Sequence, residues 1–131
     1  MLLKIKDETF AGDILNEIEL EIAEQEEITV KDIIEMRVER EVENYNRRVE
    51  DKFFNGLVAP TDAEKTLNGY KMKRKAKIDA EMQVYVALAA FQKNGYFVLI
   101  DDVQCESLNQ IVKIGENTKI SFLKLTPLIG G

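Results

Sequence analysis

The sequence predicts an α+β protein in which a mixed sheet of about four or five strands packs against one long helix. Residues 17–22 alternate between acidic or polar and apolar side chains, which indicates a half-buried strand. Residues 30–49 repeat apolar side chains at the spacing of a helix. Residues 96–100 and 119–125 are short runs rich in strand-forming residues. Strands are therefore expected near both ends of the chain, with helix between them.

The first two strands are expected to form a hairpin. Residues 2–6 alternate apolar side chains with lysine, residues 7–13 are a polar turn, and residues 14–22 are the second strand. One face of this second strand carries a row of glutamates: Glu17, Glu19 and Glu21. We interpret the row as a solvated face, with an acidic docking surface as the alternative.

The long helix is predicted to begin after Thr29 and to run to about Lys52. Thr29 and Asp32 have the spacing of a capping box, and an acidic residue in the first turn suits the helix dipole. The predicted apolar stripe of this helix comprises Val30, Ile33, Ile34, Val38, Val42, Tyr45 and Val49.

Residues 53–92 are predicted to be an inserted helical region. A short helix is expected from Thr61 to the stop signal at Asn68 and Gly69, and a second long helix from about Arg74 to Lys93. The apolar stripe of the second helix is predicted to be Ile78, Met82, Tyr85, Val86, Ala89 and Ala90, widened by Leu88 and Phe91. A basic cluster precedes it, either solvated or docking an acidic surface: Lys71, Lys73, Arg74, Lys75 and Lys77.

The C-terminal part is predicted to be mostly strand. Residues 96–100 and 103–105 form a short hairpin, residues 107–115 cross beneath the sheet, and the last strand starts at Lys119. Cys105 lies in or beside this hairpin. We interpret it as a small buried apolar residue, because the sequence has no histidine that would activate it as a nucleophile.

Composition narrows the classes of function. The 131 residues predict a single domain over 1–131, with 45% hydrophobic and 32% charged residues. No apolar stretch reaches the roughly 18 residues of a membrane span, and the single cysteine favours a cytoplasmic location. A net charge of −6 argues against nucleic acid as a partner. Without histidine, a P-loop or a dinucleotide-binding motif, the chain is predicted to be no enzyme and to hold no cofactor or metal.

The most informative stretch is the tail predicted over residues 126–131, which ends in Gly130 and Gly131. At average glycine usage such a pair ends roughly one chain in two hundred by chance. Pro127 cannot donate to a strand ladder, so regular pairing is expected to stop there. Either the tail is an incidental loose terminus, or the Gly131 carboxylate is the reactive group. In the second case the absence of Cβ atoms lets the tail thread a narrow channel and lets an enzyme approach the carbonyl.

The order of predicted elements resembles the β-grasp fold of ubiquitin and of the sulfur carriers MoaD and ThiS. The resemblance covers residues 2–51 and 96–131. The strand hairpin and the I-T-V-K-D-I-I entry to the helix at Ile28–Ile34 look like ubiquitin. The V-L-I-D-D-V hairpin, the turn at Gly115 and the ending T-P-L-I-G-G look like MoaD. Residues 53–92 have no counterpart in the simple fold, and apolar residues replace the basic residues that precede the diglycine of ubiquitin.

The resemblance implies that this protein is an acyl donor and that its partners carry the catalytic groups. An ATP-dependent E1-like enzyme would adenylate the carboxylate of Gly131, with Gly130 in its channel and Pro127, Leu128 and Ile129 as tail-recognition residues. An E2-like enzyme, target proteins and a deconjugating protease of the JAB or another type complete the expected partners. Nucleic acid and membranes are not among them.

Three functions remain open from the sequence. The first is a ubiquitin-like modifier that is conjugated to targets, and the inserted region favours it by adding docking surface. The second is a sulfur carrier of the MoaD or ThiS kind, which would form a C-terminal thiocarboxylate. The third is a β-grasp structural or adaptor protein that assembles as a homo-oligomer through its opposed acidic and basic stretches.

Overall fold

The computed structural model describes residues 1–23, 27–48, 53–60, 63–66, 69–72 and 77–124. These residues form an α+β structure with a five-stranded mixed sheet, two helices and two small sheets. In chain order the elements are β1 (Leu2–Glu8), β2 (Ile14–Glu21), β3 (Glu27–Thr29), α1 (Val30–Arg47), β4 (Phe53–Phe54), β5 (Ala63–Thr66), β6 (Gly69–Met72), α2 (Ala80–Gln92), β7 (Tyr96–Ile100), β8 (Val103–Gln104), β9 (Ile111–Lys113) and β10 (Ile120–Lys124).

The main sheet has the strand order β2-β1-β10-β7-β8. The predicted hairpin is confirmed, because β1 and β2 pair antiparallel with Ile5 opposite Ile18. The last strand, β10, lies in the centre of the sheet, where it pairs parallel with β1 and antiparallel with β7. The first and last strands of the chain are therefore neighbours, and no local pattern in the sequence encodes that pairing.

Helix α1 covers one face of the sheet and forms the core with it. The predicted capping box is present: the Thr29 side chain accepts from the Asp32 N–H, and the Asp32 side chain accepts from the Thr29 N–H. The predicted stripe is also confirmed as far as the structure describes it, since its members from Val30 to Tyr45 are buried. They pack with apolar side chains of β1, β7 and β10 in one cluster.

Helix α1 ends earlier than predicted. Its last residue is Arg47, and Arg48 has an extended backbone rather than continuing towards Lys52. The side chain of Asn46 fixes this end, because its amide accepts from the Ile78 N–H at 2.9 Å and donates to the Ile78 carbonyl at 3.1 Å. This contact joins the last turn of the helix to a segment 32 residues away in sequence.

The short helix predicted from Thr61 is wrong for the residues that are described, because β5 and β6 form an antiparallel hairpin there. Buried Tyr70 and Met72 alternate with exposed Lys71, which is the period of a strand. At Gly69 the backbone has φ +111°, and a Cβ would come within 2.9 Å of the Phe54 carbonyl oxygen. Gly69 therefore begins a strand rather than ending a helix. Among the described residues of the stretch 53–92, only Ala80–Gln92 are helical.

Helix α2 starts later than predicted, and its predicted apolar stripe is confirmed only in part. Ile78 and Phe91 are buried as predicted. The backbone of residues 77–79 is not helical, and the Asp79 side chain caps the helix by accepting from the N–H groups of Glu81 and Met82. Its buried residues are Gln83, Ala87 and Phe91, whereas Met82 and Tyr85 of the predicted stripe are 53% and 72% exposed. The Gln83 amide donates to the Val58 carbonyl at 3.1 Å, and this buried polar contact sets the face that turns inward.

Two other segments predicted as loops contribute strands. The predicted turn over residues 7–13 begins too early, because β1 continues to Glu8 and Asp7 is only 2% exposed. Strand β3 pairs with β9, which lies in the predicted crossing segment. Both are three-residue strands whose pairing partner is far away in sequence, so they carry almost no local signal.

Candidate functional site

The predicted site residues Pro127, Leu128, Ile129, Gly130 and Gly131 lie outside the described residues. The structure describes the strand that leads to them. In β10, Ile120 and Phe122 are buried to 1% and 0% exposure, and neighbouring strands pair with both sides of the strand. Its last residue, Lys124, pairs with Tyr96, and the Lys124 Nζ donates to the Gly56 carbonyl at 3.1 Å. Residue 125 thus follows a strand that is fixed by the core.

A group of partly exposed apolar side chains lies at this end of the main sheet. Leu123 pairs with Phe97 and with Glu8, and Glu8 pairs with Ile14. Paired residues share a face of a sheet, and this face is opposite to the one that carries buried Phe122. The ring of Phe10, which is 61% exposed, contacts Phe97 edge-on at 6.0 Å. We call Phe10, Ile14, Phe97 and Leu123 the open-face patch.

On the other face, a buried ion cluster joins three elements. The Arg37 guanidinium of α1 donates to both carboxylate oxygens of Asp7 in β1, with Nη2 and Oδ2 2.6 Å apart. Its Nε donates to the Glu41 carboxylate at 3.3 Å. The second oxygen of Glu41 accepts from the Leu57 N–H at 3.0 Å. The guanidinium also lies 4.5 Å from the ring centre of Phe122. The cluster thus ties β1, α1 and the segment after β4 to the last strand.

The two acids share the guanidinium of Arg37 unequally. Burial alone would lower the pKa of Arg37, but the Glu41 and Asp7 carboxylates outweigh burial and raise it. Burial raises the pKa of Glu41, because a single bond to Arg37 and the Leu57 N–H do not offset the loss of water. Asp7 takes the two-pronged contact, the geometry that carboxylate and guanidinium prefer.

This ion cluster was not predicted, although the sequence contains a signal for part of it. Arg37 and Glu41 interrupt the helical series 30, 34, 37, 41, 45, whose other members are buried and apolar. Charged residues at inward positions of an amphipathic helix indicate a buried pair. Asp7 carries no comparable signal, since it falls within the turn predicted over residues 7–13.

Cys105 lines an open groove of about 920 Å³ between α2 and the segment that follows β8. The residue is 3% exposed, its N–H donates to the Val98 carbonyl, and burial raises the pKa of its thiol. A raised pKa lowers the fraction of nucleophilic thiolate at neutral pH. This environment favours the interpretation of Cys105 as a packing residue. Among the described residues, no group of acidic or cysteine side chains is arranged to hold a metal ion.

The described helices include none that is both long and apolar enough to cross a membrane. No protein-family model matches the chain, and no curated protein or solved structure is significantly similar to it.

Proposed function

We propose that this protein is a ubiquitin-like modifier with a β-grasp fold, activated at the Gly131 carboxylate and conjugated to target proteins. The observation that carries the proposal is the position of β10. In the sequence, the Gly-Gly pair follows this strand after residues 125–129, and the strand itself is central, parallel to the first strand and buried by the helix that follows the first hairpin. This arrangement of a mixed sheet with a long helix packed on it is what a β-grasp domain requires.

The chemistry needs little from the chain itself. A carboxylate is a poor acyl donor, so an ATP-dependent E1-like enzyme converts it to an acyl-adenylate, and a nucleophile on a partner then attacks the Gly131 carbonyl. The chain supplies the acyl group and a surface on which the partners dock. The open-face patch supports this role, because it lies at the end of the sheet from which the tail departs. Apolar, aromatic surface of this kind is typical of docking sites.

The proposal is tested in the native host with N-terminally tagged protein. Full-length protein is compared with a variant lacking Gly130 and Gly131 and with a variant of unchanged length that has Gly130→Ala and Gly131→Ala. Heavier conjugates are detected by blotting, and the free form is weighed by intact mass spectrometry. We expect a ladder of conjugates from the wild-type protein and none from either variant. If the wild-type protein forms no ladder and the mass of its free form rises by one oxygen-to-sulfur exchange, the protein is a sulfur carrier instead. Identical behaviour of the full-length protein and both variants would refute a reactive tail.

The truncation should leave the fold intact. The described part of the core strand β10 extends to Lys124, and terminal residues of a chain usually bury little surface, so removing Gly130 and Gly131 should change the melting temperature by less than about 2 °C. A calorimetric scan of both forms measures this. A fall of several degrees would mean that the loss of conjugation reports unfolding rather than a missing acyl group.

The open-face patch is tested by exchanging exposed aromatic residues. Phe10→Ser should weaken adenylation by the cognate E1-like enzyme about tenfold, as the loss of an aromatic anchor at a docking site does. Tyr85→Ser is the matched control, because Tyr85 is similarly exposed but lies on α2. Pyrophosphate exchange measures the rate for each variant. Equal effects of the two substitutions would remove the patch from the proposed docking surface.

A further inference from the structure

A second surface, unrelated to the tail, is the outer edge of β2. This strand is the first in the order of the main sheet, and among the described residues no strand pairs with it on the side away from β1. Its eight residues form the longest strand of the structure as described. An unpaired edge of this length is a template on which another extended segment can form backbone hydrogen bonds.

The register shows which backbone groups face outward. Met1 and Ile22 exchange both of their backbone hydrogen bonds at 2.8 Å. Bonded pairs alternate along an antiparallel ladder, so the next bonded pairs are Leu3 with Leu20 and Ile5 with Ile18. The residues between them direct their N–H and C=O groups away from β1: Glu17, Glu19 and Glu21.

These glutamates also determine the charge of the edge. Their side chains are exposed on the open face of the sheet. On the inner side, β1 places Lys6 opposite Glu17 and Lys4 opposite Glu19. Strand β1 is therefore an internal example of a segment that suits β2, with lysines at two alternate positions and apolar residues on either side of Lys4. Opposite charges directly across a strand pair stabilise it, and like charges destabilise it.

The side chains between the lysines also have a place to pack. A small groove of about 170 Å³ lies between the edge of β2 and α1, where Ile18, Asn44 and Phe54 are among its lining residues. Glu17, whose backbone faces outward, also lines it. In an added strand, alternate side chains point to opposite faces. Basic residues would meet the glutamates while small apolar residues would enter the groove.

A second copy of β2 is a poor occupant of this edge. If two β2 strands paired antiparallel about Glu19, Glu19 would face its own copy and Glu17 would face Glu21. Like charges would then stand opposite each other along the whole pair, which is the arrangement that discourages edge-to-edge association.

We propose that the outer edge of β2 binds an extended protein segment with lysine or arginine at every second position and small apolar residues between them. The segment adds as a sixth strand, antiparallel to β2, with its basic residues opposite Glu17, Glu19 and Glu21. This inference does not depend on the proposed conjugation at Gly131.

The test uses the whole protein and a capped synthetic peptide with lysines at alternate positions, separated by valine. Binding is followed by NMR titration of the amide signals. We expect the largest shifts at Glu17, Glu19 and Glu21, together with slower hydrogen exchange of their N–H groups. The lysine N–H groups face β2 in this pairing. N-methylation of the lysines should therefore abolish binding, whereas N-methylation of the valines should preserve it.

Matched protein variants separate a docked strand from general attraction of charge. Glu19→Lys should weaken binding of the peptide about tenfold, since it exchanges an attractive cross-strand pair for a repulsive one. Glu39→Lys makes the same change of net charge at an exposed position of α1 and should alter the affinity by less than about twofold. Equal loss in both variants, or binding that survives N-methylation of the lysines, would overturn the proposal. Self-association of the unliganded protein that Glu19→Lys abolishes would also overturn it, by assigning the edge to a second copy.

Discussion

Helix α1 carries two arginine–glutamate pairs that have the same spacing and opposite surroundings. Arg37 and Glu41 are 0% and 7% exposed, and they lie in a cluster with Asp7. Arg47 and Glu43 are 70% and 48% exposed, and they form their ion pair in contact with water. In an isolated helix both pairs would contribute roughly 0.2–0.5 kcal/mol, and glutamate on the N-terminal side, as in the exposed pair, is the better order.

In the folded protein, burial reverses this ranking of the two arginine–glutamate pairs. Once the charges of Arg37, Asp7 and Glu41 are out of water, each is stable only while the others are present. The exposed pair has water as an alternative partner for both of its groups. In this helix, the contribution of an ion pair to stability therefore depends on the burial of its groups and not on their spacing.

The largest effect is expected from Arg37→Met. This change leaves the carboxylates of Asp7 and Glu41 buried without a cation, so the free energy of unfolding should fall by about 3–5 kcal/mol. Urea denaturation measures the loss. Because the single variant can fail to fold, a triple variant adds Asp7→Asn and Glu41→Gln, which remove the unpaired charges and should restore most of the stability. A loss below about 1 kcal/mol in the single variant would show that water reaches the cluster.

A smaller effect, with a definite dependence on pH, is expected from Glu41→Gln. Because burial raises the pKa of Glu41 in the folded state, the folded protein retains this proton at a higher pH than the unfolded chain does. The contribution of Glu41 to stability is thus fully present below the unfolded pKa of about 4.3 and falls as pH rises through the folded pKa. Within that window the wild type should lose stability relative to the glutamine variant. A constant difference across the window would contradict a raised pKa.

The smallest effect is expected from Arg47→Ala, which removes the exposed pair. The free energy of unfolding should change by less than about 0.5 kcal/mol, and added salt should reduce even that difference. The same denaturation experiment at low and high ionic strength measures it. A loss comparable to that of Arg37→Met would remove the distinction between the two pairs.

Much of the fold was predictable where the signal is local. The alternation of residues 17–22 predicted a strand with an exposed row of glutamates, and the capping box predicted the first residue of α1. The hairpin of β1 and β2 followed from a short polar connection between two alternating segments. In each case the residues that form the structure are the residues that carry the pattern, so the physical cause lies within a few positions of its effect.

The candidate site was less accessible to sequence reasoning. The open-face patch gathers Phe10, Ile14, Phe97 and Leu123 from three distant segments, and only strand pairing brings them together. The inward face of α2 was predicted only in part, since Phe91 is buried as expected, but Gln83 is buried through a contact with Val58 while apolar Met82 and Tyr85 remain exposed. A polar residue that finds a partner inside the protein cannot be distinguished by periodicity from one that points to water.

Local sequence patterns predicted the α+β class, the exposed acidic strand and the start of the long helix. They did not predict that the last strand lies beside the first, that the β5–β6 hairpin replaces a predicted helix, or that Asp7, Arg37 and Glu41 share one buried site. The physical reason is that periodicity and capping are properties of neighbouring residues. Burial, pairing and charge compensation are properties of residues that meet only when the chain has folded.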